Sequence, residues 1–429
     1  MRSSLAYAAV LAVSVMICPA ASADDGVEGD CQEISAQDAT HYATSRPSLP
    51  LQEMGVDDAL ARLKKEHVKP GAGVVVAVID SGVASAAPIT IAGQPVETGN
   101  KVAAATDYHG TAVAGLIAGH RRPDGGGPVG IAPYAQIYDV QVYDEADAST
   151  APDSTGSPIT VENLRQGLDA VIAAVPTLGI RIVNMSLAIP DDDEIRAKIA
   201  QLWALGVVVV APTGNRSSEL PMPSDLPSTF EAHQSGEDAA PYVHPADYDD
   251  VLGVNATPAG SSNLEPTNWV LENSSTDVAA PTAGAVSYSL RGESCLLNDP
   301  ATSYAAAEVS GVLALLQSAY DESVAASVRR LLTTANGRPD IPNTLVGAGE
   351  VQAMDALTRP MDINDSGTDL GAGSVQHEPQ LLTVPEEPDD VLAKTRQDAV
   401  WWGLVGGGAL LLAVVLRPVL ARRRRTVSR

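Results

Sequence analysis

Apolar and polar positions along this chain fall into two kinds of block, and the two kinds alternate. Short continuous apolar runs recur at Val74 to Ile79, Ile137 to Val142, Ile182 to Met185, Val207 to Val210, Val251 to Val254 and Val278 to Ala280. Runs of this length rich in Val and Ile read as strands buried on both faces. Between them lie segments with helical spacing. Val161 to Val175 places Leu164, Leu168, Val171, Ile172 and Val175 on one face. A helix is expected to open at Pro190, since Pro suits the first helical position. Further helices are expected from the small-residue stretch after Asp107 to Gly119, from Ser303 to Ser318, and from Ser323 to Leu332. Strands alternating with helices mean crossover connections, a mainly parallel sheet and helices on both faces, an α/β fold in three layers. Ahead of the first strand, Met54, Val56, Leu60, Leu63 and Val68 suggest one helix in a lead-in too short to be a separate domain.

The two ends of the chain depart from this pattern. Arg2, the apolar run Leu5 to Ile17 and the small residues Ala21-Ser22-Ala23 form a secretory signal over residues 1–23, with cleavage expected after Ala23. Residues 24–70 are then an extension that packs on the main domain, residues 71–360 that domain, and residues 361–398 an acidic, Pro- and Gly-bearing linker. Ala399 to Leu416 carries no charge for 18 residues, ~27 Å as a helix. Trp401 and Trp402 stand at its entry, and Arg417 and Arg422 to Arg425 follow. Indole at the interface and arginine on the far side predict a membrane helix over 399–417 with a basic cytoplasmic tail, 418–429. The expected location is the cell membrane, single-pass, with the main domain extracytoplasmic.

Composition narrows the function. Of 429 residues, 53 are acidic and 27 basic, a net charge of −26, which excludes the basic face of a nucleic-acid binder. Loss of the signal removes Cys18 and leaves Cys31 and Cys295, and two thiols in an exported chain favour one disulfide. No Cys/His spacing has the form of a zinc site, so neither metal nor cofactor is expected.

Three side chains carry candidate chemistry. Asp80 ends the first strand, His109 opens one helix and Ser303 opens another. Each has a duller reading alone: a turn Asp, a helix-start His, an N-cap Ser. Together they are the hydroxyl, imidazole and carboxylate that nucleophilic acyl transfer needs. The order Asp, His, Ser on a parallel sheet is the subtilisin order. From Gly71 to Leu357 the chain resembles a subtilisin-type serine protease. Asp80-Ser81-Gly82 is similar to that family's Asp motif, His109-Gly110-Thr111-Ala112-Val113-Ala114-Gly115 to its His motif, and Thr302-Ser303-Tyr304-Ala305 to its Ser motif. The resemblance assigns the oxyanion to Asn215 with the Ser303 N–H, and the substrate groove to Ser186-Leu187-Ala188 and to Thr213-Gly214 after Pro212. Ala301 and Ala307 replace a Gly and a Pro of the family pattern; the first matters only where φ is positive or the backbone must approach substrate closely.

The succession of signal, lead-in, protease domain, acidic linker, membrane helix and basic tail resembles the mycosins, membrane-anchored proteases that accompany type VII secretion systems. That resemblance implies an endopeptidase cleaving exported proteins, with protein or peptide substrates and secretion-complex partners. A second implication is a catalytically weak component that stabilises the secretion complex. The loops Asp144 to Pro158 and Arg216 to Asp250 are candidate partner contacts, with solvated surface the simpler reading. His41, His67, His120, His233, His244 and His377 are expected at the surface.

Overall fold

The computed structural model describes residues 28–38, 40–99, 104–122, 126–144, 158–216, 226–260, 264–339, 341–369 and 393–425. The signal segment, most of the linker, residues 145–157 and 217–225, and His377 lie outside the described residues. The chain forms two units, 1–372 and 373–429.

In the first unit the lead-in is two helices, α1 (Leu49–Glu53) and α2 (Val56–Lys65). The single helix expected there is broken at Gly55, whose φ of 68° lies in the left-handed region that glycine supplies. Leu51, Met54, Val56, Ala59 and Leu63 are buried in the main core, and Cys31 is bonded to Cys295, so the extension is part of the same body.

The alternating elements follow in order: β1 (Val75–Asp80), β2 (Val96–Glu97), α3 (His109–Ala118), β3 (Gln136–Gln141), α4 (Val161–Leu178), β4 (Ile180–Asn184), α5 (Asp193–Ala204), β5 (Val208–Pro212), β6 (Val251–Thr257) and β7 (Val278–Pro281). They are succeeded by the hairpin β8 (Ala285–Tyr288) and β9 (Ser294–Leu297), then α6 (Thr302–Ala319), α7 (Val324–Thr334) and α8 (Ala353–Thr358). The sheet order is β2-β3-β1-β4-β5-β6-β7, and its six pairings are all parallel. In β1 the pleat divides the apolar run. Val76 and Val78 enter one core with α3, α6 and the lead-in, while Val75, Ala77 and Ile79 enter the other with α4 and α5. Helices therefore cover both faces, which is why the strands read as unbroken apolar runs.

Three expectations change. Pro190 does not open α5; that helix starts at Asp193, and the Asp192 carboxylate caps it by accepting from the N–H groups of Glu194 and Ile195. A carboxylate satisfies two free helix N–H groups where proline has nothing to offer them. The segment after Arg216 is not plain solvated surface. Phe230, Ala239 and Val243 are buried with Leu271, and Arg216 is buried against Glu237. His244 is buried too: its Nδ1 lies 2.6 Å from Asp247 Oδ1 and its ring stacks on that of Tyr248, with centroids 5.8 Å apart.

In the second unit α9 (Ala393–Arg425) is a 33-residue helix. Among the described residues no helix is long and apolar enough to cross a membrane. Side chains are described only for 401–417 of α9, so the apolar run from Ala399 begins outside them.

Candidate active site

β1 lies between β3 and β4, where successive connections leave in opposite directions along the sheet. Such a switch point opens a crevice at the carboxyl ends of the strands. Asp80 is the last residue of β1 and is fully buried. Its Oδ1 accepts from the Ser81 N–H at 2.7 Å, His109 Nδ1 at 2.8 Å and the Tyr143 hydroxyl at 3.1 Å. The chain leaves through Gly82, whose φ of 92° puts it in the left-handed region.

His109 is the first residue of α3, and its N–H donates to Asp107 Oδ1 at 2.8 Å. Gly110 is required by contact: a Cβ there would lie 2.6 Å from the Gly82 carbonyl oxygen. The His motif thus seats α3 directly on the turn that follows Asp80. A carboxylate only accepts, so in neutral His109 the proton sits on Nδ1 and Nε2 is left as a base. Burial pulls the His109 proton affinity down, but the charge and hydrogen bond of Asp80, with Asp107 behind, outweigh it and leave the pKa raised.

Ser303 is the second residue of α6 and is buried, and its Oγ has no hydrogen-bond partner among the described residues. The structure therefore joins Asp80 to His109 and makes no bond from Ser303 Oγ to His109. The helix carrying Ser303 is anchored from behind. Ser310 Oγ donates to Asn184 Oδ1 at 3.0 Å, Asn184 Nδ2 to Ser186 Oγ at 2.8 Å, and Ser186 Oγ to the Ser303 carbonyl at 2.8 Å. Ala301, before the helix, has φ −144° and ψ 133°. That is extended backbone open to any residue, so the missing glycine introduces no strain. Ala307 lies within the helix, where Ala outperforms Pro.

Asn215 follows β5, and its Oδ1 accepts from both the N–H and the Oγ1 of Thr302, at 2.8 and 3.0 Å. An N–H donor fixes the identity of the amide atom facing it, so the Nδ2 end is the one free to donate. The groove residues divide by their engagements. The Ser186 hydroxyl is used internally as above; Leu187 is buried and Ala188 packs beside Phe230 and Val243. Thr213 is tied to the Val254 carbonyl, and the Gly214 carbonyl receives the Leu271 N–H at 3.1 Å.

Several neighbours escaped the sequence reading. The hydroxyls of Tyr108 and Tyr304 are 3.0 Å apart, and the Tyr304 ring lies 5.8 Å from that of His109. Tyr304 belongs to the Ser motif itself and Tyr108 adjoins the His motif, but nothing in either motif pairs their hydroxyls. Asn184 and Ser310 have no such place in a motif, nor does Tyr143, which stands two residues beyond β3. Among the described residues no cluster of three His, Cys, Asp or Glu is arranged to hold a metal ion.

A parallel sheet with a buried Asp–His pair at its carboxyl edge, and a serine in the first turn of α6, defines a serine protease of the subtilisin kind. The chain belongs to the subtilase family, whose pattern it matches over residues 71–349. Mycosin-1 of Mycobacterium tuberculosis (strain ATCC 25618 / H37Rv) is 31% identical over 316 residues, 67% of this chain and 69% of that protein. Mycosin-4 of the same organism is 30% identical over 379 residues, 83% of this chain and 77% of its own. The solved structure of the MycP3 protease from the type VII (ESX-3) secretion system has a TM-score of 0.56 at 27% identity, covering 74% of this chain and 89% of that one.

Proposed function

We propose that the chain is a membrane-anchored, extracytoplasmic endopeptidase that cleaves exported proteins by acyl transfer. The observation that carries this reading is the 2.8 Å bond from His109 Nδ1 to the buried Asp80 carboxylate, on a helix packed against α6, whose first turn holds Ser303. His109 Nε2 takes the Ser303 proton as the hydroxyl attacks the scissile carbonyl, then returns it to the leaving amine. Asp80 holds the tautomer and stabilises the imidazolium. Asn215 Nδ2 and the Ser303 N–H stabilise the oxyanion, with the positive end of the α6 dipole behind them. Segments 186–188 and 213–214 are the proposed groove walls.

The anchor is the proposed role of α9. Trp401, Trp402, Leu404 and Leu410 are each more than 60% exposed on it, and Arg422 to Arg425 follow. Such a surface suits lipid with its basic end on the cytoplasmic side. Likeness to the mycosins supports a place beside a type VII secretion system. The alternative is a catalytically weak scaffold of the secretion complex; Ala301 sits unstrained, which removes backbone strain as its ground and leaves the approach of the added methyl to substrate.

A fluorophosphonate probe tests the reading. The full chain in detergent is expected to label at Ser303, Ser303→Ala to remain unlabelled, and Asn215→Ala to label more slowly. In subtilisin, loss of the oxyanion Asn costs ~10²–10³ in kcat, a figure taken from that enzyme. A folded wild-type chain that does not label overturns the reading.

A further inference from the structure

Asp80 Oδ1 receives one donor that the acyl-transfer scheme leaves without a task. The Tyr143 hydroxyl lies 3.1 Å from that oxygen and 3.4 Å from His109 Nδ1. Its ring is buried in the core formed with α4, beside Leu164 and Leu168. The strand that delivers it is locked to the end of β1, since the Val142 N–H donates to the Asp80 carbonyl at 2.9 Å. The other carboxylate oxygen, Asp80 Oδ2, makes no hydrogen bond among the described residues. All of the carboxylate's donors therefore converge on the oxygen that His109 uses.

We propose that Tyr143 is a positioning residue for the Asp80–His109 pair, its hydroxyl fixing the carboxylate's rotation and tempering the negative charge the imidazole meets. This rests on the roles proposed above for Asp80 and His109. The phenol is suited to the task because it stays a donor throughout the working range. Burial, the Asp80 and Asp107 carboxylates and the bond to Asp80 raise its pKa well above the ordinary phenol value, against a smaller opposing contribution from Ser81. The other acids acting on the pair are Asp107, beside His109, and Asp139 on β3, beside Asp80. Neither takes the place of a hydroxyl aimed at Oδ1. A donor there withdraws charge from the oxygen facing the imidazolium, so its removal strengthens that ion pair.

The test reads His109 directly. Full chain in detergent is labelled with ¹³C-histidine, the His109 signal is assigned by its loss in His109→Gln, and its titration is followed by NMR. Tyr143→Phe is expected to move the His109 pKa upward by about half a unit, and 3-fluorotyrosine at position 143, a stronger donor, to move it downward. The pH dependence of fluorophosphonate inactivation should shift in the same two directions, with a ~2- to 10-fold slower plateau for Tyr143→Phe, the range one hydrogen bond supports. A ring that merely fills the core predicts superimposable titrations for all three proteins, and that result overturns the proposal. If Tyr143→Phe does not fold, the fluorinated protein still decides it. If the wild type does not label, the proposed function fails, while the titration still reads the coupling of Tyr143 to His109.

Discussion

Asp80 and Glu308 are both fully buried carboxyl groups, and the molecule treats them in opposite ways. Asp80 stands where a strand leaves the sheet, and loops and a neighbouring helix bring three donors to one of its oxygens. Glu308 lies in the second turn of α6, where backbone N–H groups are already taken by the helix, and neither of its oxygens finds a donor among the described residues. Burial, and secondarily the Glu53 carboxylate of the lead-in, push the Glu308 pKa well above the ordinary range, which favours its neutral form. Equal burial thus goes with two different settings, and the supply of donors separates them. A buried acid in a sequence of this family says nothing about catalysis until its donors are known.

The largest effect expected from this contrast is at Asp80. Asp80→Asn keeps the shape but offers His109 a group that also donates, so the imidazole no longer has its tautomer fixed. A fall in kcat of ~10³–10⁴ is expected, close to the cost recorded for the same change in a protease of unrelated fold. Peptide hydrolysis measures the loss, and an unchanged far-ultraviolet circular dichroism spectrum separates it from unfolding. A loss below tenfold would mean that the three donors on Oδ1 serve the fold alone.

At Glu308 the same contrast predicts a gain. Replacing an unpartnered buried carboxyl with Met of similar volume is expected to stabilise the domain by ~1–3 kcal/mol, measured as a higher denaturation midpoint, with Ser303 labelling unchanged. The pH dependence follows from the raised pKa. An unfolded Glu releases its proton near about pH 4.3, whereas the folded state retains it. Wild-type stability therefore falls as pH rises above that value, and Glu308→Gln should flatten the slope. Equal slopes in the two proteins would mean that Glu308 has a donor in solution.

How much of this was legible beforehand depends on the kind of signal. The run Val74 to Ile79 announced a strand covered on both faces, and β1 has that burial along its whole length. The hairpin β8–β9 was missed because its strands are four residues each and carry serine at buried positions, Ser287 and Ser294. The start of α5 lies three residues beyond Pro190 because the Asp192 carboxylate caps it, and those capping bonds are visible only in three dimensions. At the site, the local motifs around Asp80 and His109 named two residues that the fold hydrogen-bonds. The supports behind them, Tyr143, Asn184 and Ser310, belong to stretches whose only mark is apolar periodicity. Their roles arise from β3, β4 and α6 meeting at one point, and periodicity within any one segment does not carry that information. The amide orientation of Asn215 was equally hidden, since it is set by Thr302, far along the chain.

The smallest effect is expected at Asp139, which stands between the two extremes. It is buried on β3; its Oδ2 accepts the Val83 N–H at 3.2 Å and its Oδ1 has no partner among the described residues. Burial raises its pKa to about 7, the Asp80 and Glu97 carboxylates add to the rise, and the Val83 N–H opposes it. The folded state accordingly holds a proton that the unfolded chain loses near about pH 3.9. Stability should decline as pH rises between these two values and level off above the folded one. Asp139→Asn keeps an acceptor for Val83 and removes the titration, so its denaturation midpoint should change less between pH 4 and pH 8 than that of the wild type. Above pH 7 the ionised Asp139 also adds negative charge beside Asp80, which favours the protonated form of His109. The variant should therefore show a steeper acid limb in the rate of fluorophosphonate labelling, displaced slightly to lower pH. A midpoint difference equal to that of the wild type, with the acid limb unmoved, would mean that Asp139 does not titrate in this range, and one donor would then suffice where the contrast requires several.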